Sequence, residues 1–220
     1  MKTTNPSAEL AENEPEDLAE RAGKDSVLLA KVFEGISSSD PKLRFKSAKI
    51  LNLMSQKEPG KLYPKIDFFI NLLESENNIL KWNAIDVVAN LASVDVDRRF
   101  EEIFGKFYGH LQEGSLITAG HVVANSWKIV DAKPDLESRI TERLLKIEKI
   151  RLPTEECRNI LIGHAILCFD KYFDRIQNKD GVITFVKRQM NNSRNATKTK
   201  AKKFLKKHSQ RAPRLLREST

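Results

Sequence analysis

Trp82 and Asp86 stand four residues apart, a spacing that brings an indole and a carboxylate together on one face of a helix. The ring could stack on a nucleobase, and the carboxylate could stabilise a cationic sugar. His121 and His164 form a second candidate pair, each following a glycine, Gly120 and Gly163, in the matching segments AGHVVANS and IGHAILCF. Two imidazoles brought together would still need further ligands to hold zinc, and helix-surface histidines are the ordinary alternative. Cys157 and Cys168 are 11 residues apart, roughly 16 Å on one helix and too far for a disulfide. No Cys-x-x-Cys, H-E-x-x-H, P-loop or G-x-S-x-G spacing occurs, so no catalytic residue, metal site or cofactor is expected. The densest run is basic: Lys198, Lys202, Lys203, Lys206 and Lys207 suit phosphate or an acidic protein.

The elements that must position these residues are copies of one another. With Phe45, Trp82, Ile117, Ile160 and Thr199 in one column, the segments LRFKSAKILNLM, LKWNAIDVVANL, SLITAGHVVANS, RNILIGHAILCF and TKTKAKKFLKKH align. The spacings are 37, 35, 43 and 39 residues, a period that signals stacked helix pairs. Between the copies lie other amphipathic stretches: DSVLLAKVFEGI with Asp25 or Ser26 as cap, LYPKIDFFINLL, RRFEEIFGKFYGHL, DLESRITERLLKIEKI and GVITFVKRQM. Asp40 and Pro41 are suited to cap and open the first copy, Pro59 and Gly60 to end it, and Pro153 and Thr154 to open the fourth. Ten helices in five pairs are predicted, joined by short polar loops.

Asp40-Pro41 followed by Leu43-Arg44 and Ser47-Ala48 resembles the turn and second-helix signature of HEAT repeats, and Leu80-Lys81 with Ala84 is a weaker echo. The third and fourth copies lack the Asp-Pro turn and the basic residue. The resemblance covers roughly residues 25 to 208 and implies an all-α fold, a right-handed α-α superhelix (solenoid) of about five HEAT-like helix pairs. Repeats are expected over about 25–57, 61–94, 97–132, 134–176 and 179–208. It also implies that the signature-bearing helices line the concave side. The Trp82 and Asp86 pair is similar to the active-site pairing of HEAT-like alkylpurine DNA glycosylases, although no second Trp and Arg match that family's supporting pattern.

Helical geometry, at about 100° per residue, sorts the columns. Counting from the Phe45 column, positions +2, +5 and +6 are small or apolar almost throughout and form the predicted buried face. The opposite stripe, at 0, +4 and +8, carries Phe45, Lys49, Trp82, Asp86, Asn90, Ile117, His121, Asn125 and His164. Polar groups on a buried side are costly without partners, so this stripe is expected to face a groove or solvent as a recognition surface for a protein. Alternatively, column 0 packs between repeats while the polar columns stay solvated. Trp127 is placed outside the stripe.

The 220 residues carry a net charge of +8 that is unevenly distributed: −4 over residues 1–22 and +11 over 187–220. Residues 1–22 are expected to be a disordered acidic tail or a short frayed helix, and 209–220 a basic tail. Any attraction to nucleic acid should reside at the basic end. With no apolar leader and no run of 18 apolar residues, a cytoplasmic protein without a membrane span is expected. The favoured reading is a non-catalytic scaffold binding a protein partner. The alternative is a nucleic-acid-binding protein, with the glycosylase as a lesser version.

Overall fold

Polar residues placed before apolar periods start half of the twelve helices among the described residues, because their side chains satisfy amides that have no partner within the helix. In the computed structural model, which describes residues 9, 10 and 12–209, Asp25 accepts from the amides of Val27 and Leu28, and Asp40 from that of Lys42. Asn77 accepts from Ile79 and Leu80, Ser115 from Thr118, Thr154 from Cys157, and Asn178 from Gly181. The resulting helices are Pro15–Ala22 (α1), Ser26–Gly35 (α2), Pro41–Lys57 (α3), Pro59–Leu62 (α4), Ile66–Leu72 (α5), Asn78–Leu91 (α6), Arg99–Gly109 (α7), Leu116–Ala132 (α8), Glu137–Leu145 (α9), Glu155–Tyr172 (α10), Lys179–Arg188 (α11) and Asn195–Ser209 (α12). The described residues are all helix and connection, with no strand.

Several expectations change, among them the single helix over 62–73, which is split by a 3-10 turn at Tyr63–Lys65. Pro59 opens the one-turn α4 rather than merely ending α3, since proline at N1 has no amide to leave unpaired. The stretch 135–150 is broken into a 3-10 turn at Pro134–Leu136, α9, and a second 3-10 turn at Ile147–Lys149. Within the expected N-terminal tail, Pro15–Ala22 is a helix whose Leu18, Ala19 and Ala22 are buried. It packs on α2 and α3, and Glu16 pairs with Lys49 at 3.0 Å; three apolar residues in register suffice to dock it. The basic tail over 210–220 and the first eight residues lie outside the described residues.

Two compact units divide the chain, Met1–Phe107 and Tyr108–Thr220. In the first, α3 packs against both α1 and α6, while α5 covers α6. Phe33, Phe68 and Phe69 form a ring cluster with centroids 5.2–5.9 Å apart. In the second, α10 lies between α8 and α12, and α9 and α11 pack together behind them. Phe169 stacks edge-on against Phe185 at 5.8 Å. In both units the predicted buried columns are inside: Ser47, Ile50 and Leu51 on α3, Ala84, Val87 and Val88 on α6, Ala119, Val122 and Val123 on α8, and Ile162, Ala165 and Ile166 on α10. On α12, Ala201 and Phe204 follow suit while Leu205 is half-buried. A small residue just beside these columns, Gly163 at position +3, lets α10 and α12 approach: a Cβ there would sit 2.9 Å from Thr197 Oγ1. Among the described residues no helix is long and apolar enough to cross a membrane.

Candidate docking groove between α8 and α10

Within the second unit, α8 and α10 run side by side with their column-zero faces toward one groove. A hollow of about 350 Å³ is lined by Leu116, Ile117, Gly120, His121 and Ala124 of α8 and by Ile160 and His164 of α10. A second, of about 220 Å³, is lined by Ala124, Trp127, His164, Leu167, Cys168 and Lys171. Ala124 and His164 line both, so the hollows adjoin. Ile117 is 52 % exposed and Leu167 49 % exposed, large apolar side chains left facing water beside a shallow depression. The Lys171 ammonium lies 5.2 Å from the centre of the Trp127 ring, a cation–π contact that closes one end.

His164 stands at the middle of the groove. Its Nδ1 is buried and has no hydrogen-bond partner among the described residues. Burial, and then the charges of Lys200 and Arg194, push its pKa below the usual histidine value of 6.5, so the ring is neutral at pH 7. Lys200 reaches over Gly163 from α12, its Nζ 3.2 Å from where a Cβ of Gly163 would lie. Burial, followed by repulsion from Arg194, lowers the pKa of this lysine. The Cys168 thiol is pushed up to about 12 by burial, which leaves it an inert core group. Both cysteines are reduced.

Other members of the sequence-derived stripe serve the packing of the first unit. Phe45 is half-buried with the Arg44 guanidinium 5.2 Å from its ring centre. Lys49 is exposed and holds Glu16 of α1. Trp82 and Asp86 are both half-buried, and Asp86 accepts from the Asn52 amide at 3.3 Å. The +8 column departs from expectation: Asn90 and Asn125 are buried. Asn90 donates to Ser55 Oγ at 2.9 Å, and Asn125 donates to the His121 carbonyl at 2.9 Å. At about 100° per residue, position +8 lies only about 60° from the buried +5 column, so it falls on the packed edge of the stripe. A short amide can be satisfied there.

The basic candidates on α12 are likewise divided. Lys202, Lys203 and Lys206 are exposed and Lys198 is half-buried. Lys207 instead pairs with Asp170 of α10 at 2.8 Å. Beside it, His208 is buried between the Phe173 and Phe204 rings, at centroid distances of 4.2 and 4.5 Å, with Nε2 2.6 Å from the same carboxylate. This end of α12 is therefore fastened to the fold. Among the described residues no group of three or more His, Cys, Asp or Glu side chains is placed to hold a metal ion.

Sequence reasoning missed Ala124, Trp127, Leu167, Lys171 and Lys200. Ala124 and Leu167 occupy position +7 and Lys171 position +11, each within about 20° of column 0; extending the stripe by those positions would have found them. Trp127, placed outside the stripe, lines the second hollow because its indole is large enough to reach it.

No protein-family model matches the sequence, and no curated protein matches it. Among solved structures, the crystal structure of an engineered protein is similar over 95 % of this chain and 93 % of its own, at 13 % identity and a TM-score of 0.48, too distant a likeness to carry an argument.

Proposed function

We propose that the protein is a non-catalytic binding scaffold of the HEAT-like solenoid kind, and that it takes a segment of a protein partner in the α8–α10 groove. The observation that carries this reading is the pair of adjoining apolar hollows flanked by the half-exposed side chains of Ile117 and Leu167. Apolar side chains left half-exposed gain from a partner that removes them from water. The repeated packing supports the HEAT-like assignment, since the signature-bearing helices pack in chain order within each unit, α3 with α6 in the first, and α8 with α10 and α10 with α12 in the second. A glycosylase role draws little support, because the Asp86 carboxylate is already engaged by Asn52. Capture of partners from the native cell by the tagged full chain, compared with Ile117→Asp and Leu167→Asp, tests the reading. Loss of specific partners from both variants is expected; an unchanged set would refute the groove.

A second reading draws on α12. Lys202, Lys203 and Lys206 are exposed and make no ion pair among the described residues, an arrangement able to engage phosphates. A gel shift with duplex and single-stranded DNA at low salt tests it. Binding that vanishes in Lys202→Gln/Lys203→Gln/Lys206→Gln would support it, and no shift even at low salt would end it.

A further inference from the structure

The α8–α10 groove has charge as well as shape. Lys200 is half-buried and makes no ion pair or hydrogen bond among the described residues. Arg194 beside it is already held by Glu156 at 2.7 Å, and among the described residues no carboxylate pairs with Lys200. The Lys200 ammonium lies over Gly163, next to the neutral His164 that both hollows share. A partly desolvated cation without a counter-charge is costly, and an anion brought to it relieves that cost. One helix further on, Lys203 and Lys206 occupy the same repeat positions on α12 as His164 and Leu167 do on α10, and both are exposed.

Resting on the groove reading above, we infer that the docking segment is an acidic amphipathic peptide. Its apolar side chains enter the hollows beside Ile117 and Leu167, one carboxylate is seated at Lys200 beside His164, and further acids face Lys203 and Lys206. A nucleic-acid backbone fits these observations less well. Phosphates would gain nothing from Ile117, Ile160 or Leu167, and of the two cations at the groove Lys171 lies over the Trp127 ring and Lys200 is half-buried. An acidic helix uses both the apolar floor and the basic edge, and the charge on that edge would favour it over neutral or basic segments.

Random peptides of about 16 residues, roughly four helical turns, can be selected on the full chain and each survivor retested on Leu167→Asp. The expected survivors depend on Leu167, carry apolar residues at helical spacing and are enriched in Asp and Glu. Their binding, read by fluorescence anisotropy, should weaken about tenfold or more in Lys200→Gln. Replacing the critical peptide acid by its amide should cost the same on the unaltered chain and little further on Lys200→Gln. That peptide-side swap keeps the test valid should Lys200→Gln disturb folding. Leu167-dependent peptides that are neutral or basic, or indifferent to both changes, would overturn the acidic anchor and leave the groove standing. Absence of any Leu167-dependent peptide would overturn the groove reading itself. A short single-stranded oligonucleotide that binds with the same dependence on Leu167 and Lys200 would overturn the inference in favour of nucleic acid.

Discussion

The side-chain amide of Asn90 donates to the hydroxyl of Ser55 at 2.9 Å, and that hydroxyl donates in turn to the Asn52 carbonyl at 2.7 Å. The chain of bonds ties α6 to α3 where both Asn90 and Ser55 are buried. Asn90→Ala leaves the Ser55 oxygen short of a partner, and a loss of about 1–3 kcal/mol is expected from urea unfolding. Peptide binding in the α8–α10 groove should be unchanged.

The two glycines that precede the histidines should respond in opposite ways. Gly163→Ala places a methyl 2.9 Å from Thr197 Oγ1, which is fixed by its own 2.7 Å bond to the Asn159 carbonyl. A destabilisation of about 1–3 kcal/mol is expected. At Gly120 the nearest atom to an added methyl is His164 Nδ1 at 3.6 Å, an ordinary contact. Gly120→Ala should therefore be neutral or stabilise by up to about 1 kcal/mol through helix propensity. Thermal unfolding of the two variants side by side decides this.

His164 should make stability depend on pH in a definite direction. The unfolded chain takes up a proton near 6.5, whereas the folded chain does so only at lower pH because burial and the Lys200 and Arg194 charges oppose it. Between those values the unfolded state binds more protons, so stability falls as pH drops below about 6.5. In His164→Gln this part of the slope should flatten. Urea midpoints of both proteins from about pH 5 to 7.5 would show it, and identical slopes would refute the assignment.

Asp170 works at the acid end. Burial would raise its carboxyl, but hydrogen bonds from Lys207 and His208 outweigh that and hold it below the ordinary aspartate value of 3.8. Its contribution is therefore complete above the unfolded value and is lost as pH falls through the lowered folded value. Asp170→Asn should be less stable than the parent at pH 7, with the difference shrinking as pH falls below the ordinary aspartate value of 3.8. Proteolysis of the α12 end, read by mass spectrometry, should rise at pH 7 in the variant.

Leu167→Asp separates binding from folding. A side chain 49 % exposed contributes little to the core, and its replacement should change stability by no more than about 0.5 kcal/mol. Binding of a groove-selected peptide should fall by about tenfold or more, since a charge is placed in an apolar contact.

Much of the fold was legible because its rules are local. Asp25, Asp40 and Thr154 announced helix starts by side chains that bond the next free amides. The buried columns were readable because Ala84, Ala119 and Ala201 recur at one helical angle, and burial of small residues against neighbouring helices is what makes the unit repeatable. The docking of the short helix α1 was not legible. Its Leu18, Ala19 and Ala22 are too few to show a period amid acidic residues, and only contact with α2 and α3 fixes it. The candidate site was half legible. Ile117, His121 and His164 came from the stripe, but Leu167 and Lys171 required the +7 and +11 positions. Lys200 lies off the stripe altogether and matters only through its position over Gly163. Asn90 and Asn125 show the converse: a polar residue in sequence does not reveal whether an adjacent helix will satisfy it.

The most direct measurement is a methyl NMR titration of the full chain with a groove-selected acidic peptide, following Ile117, Ile160 and Leu167. The account predicts that these methyl signals move together with the binding curve while those of the buried Ile50 and Val87 in the first unit stay fixed. Saturable binding that leaves Ile117, Ile160 and Leu167 unmoved would contradict it.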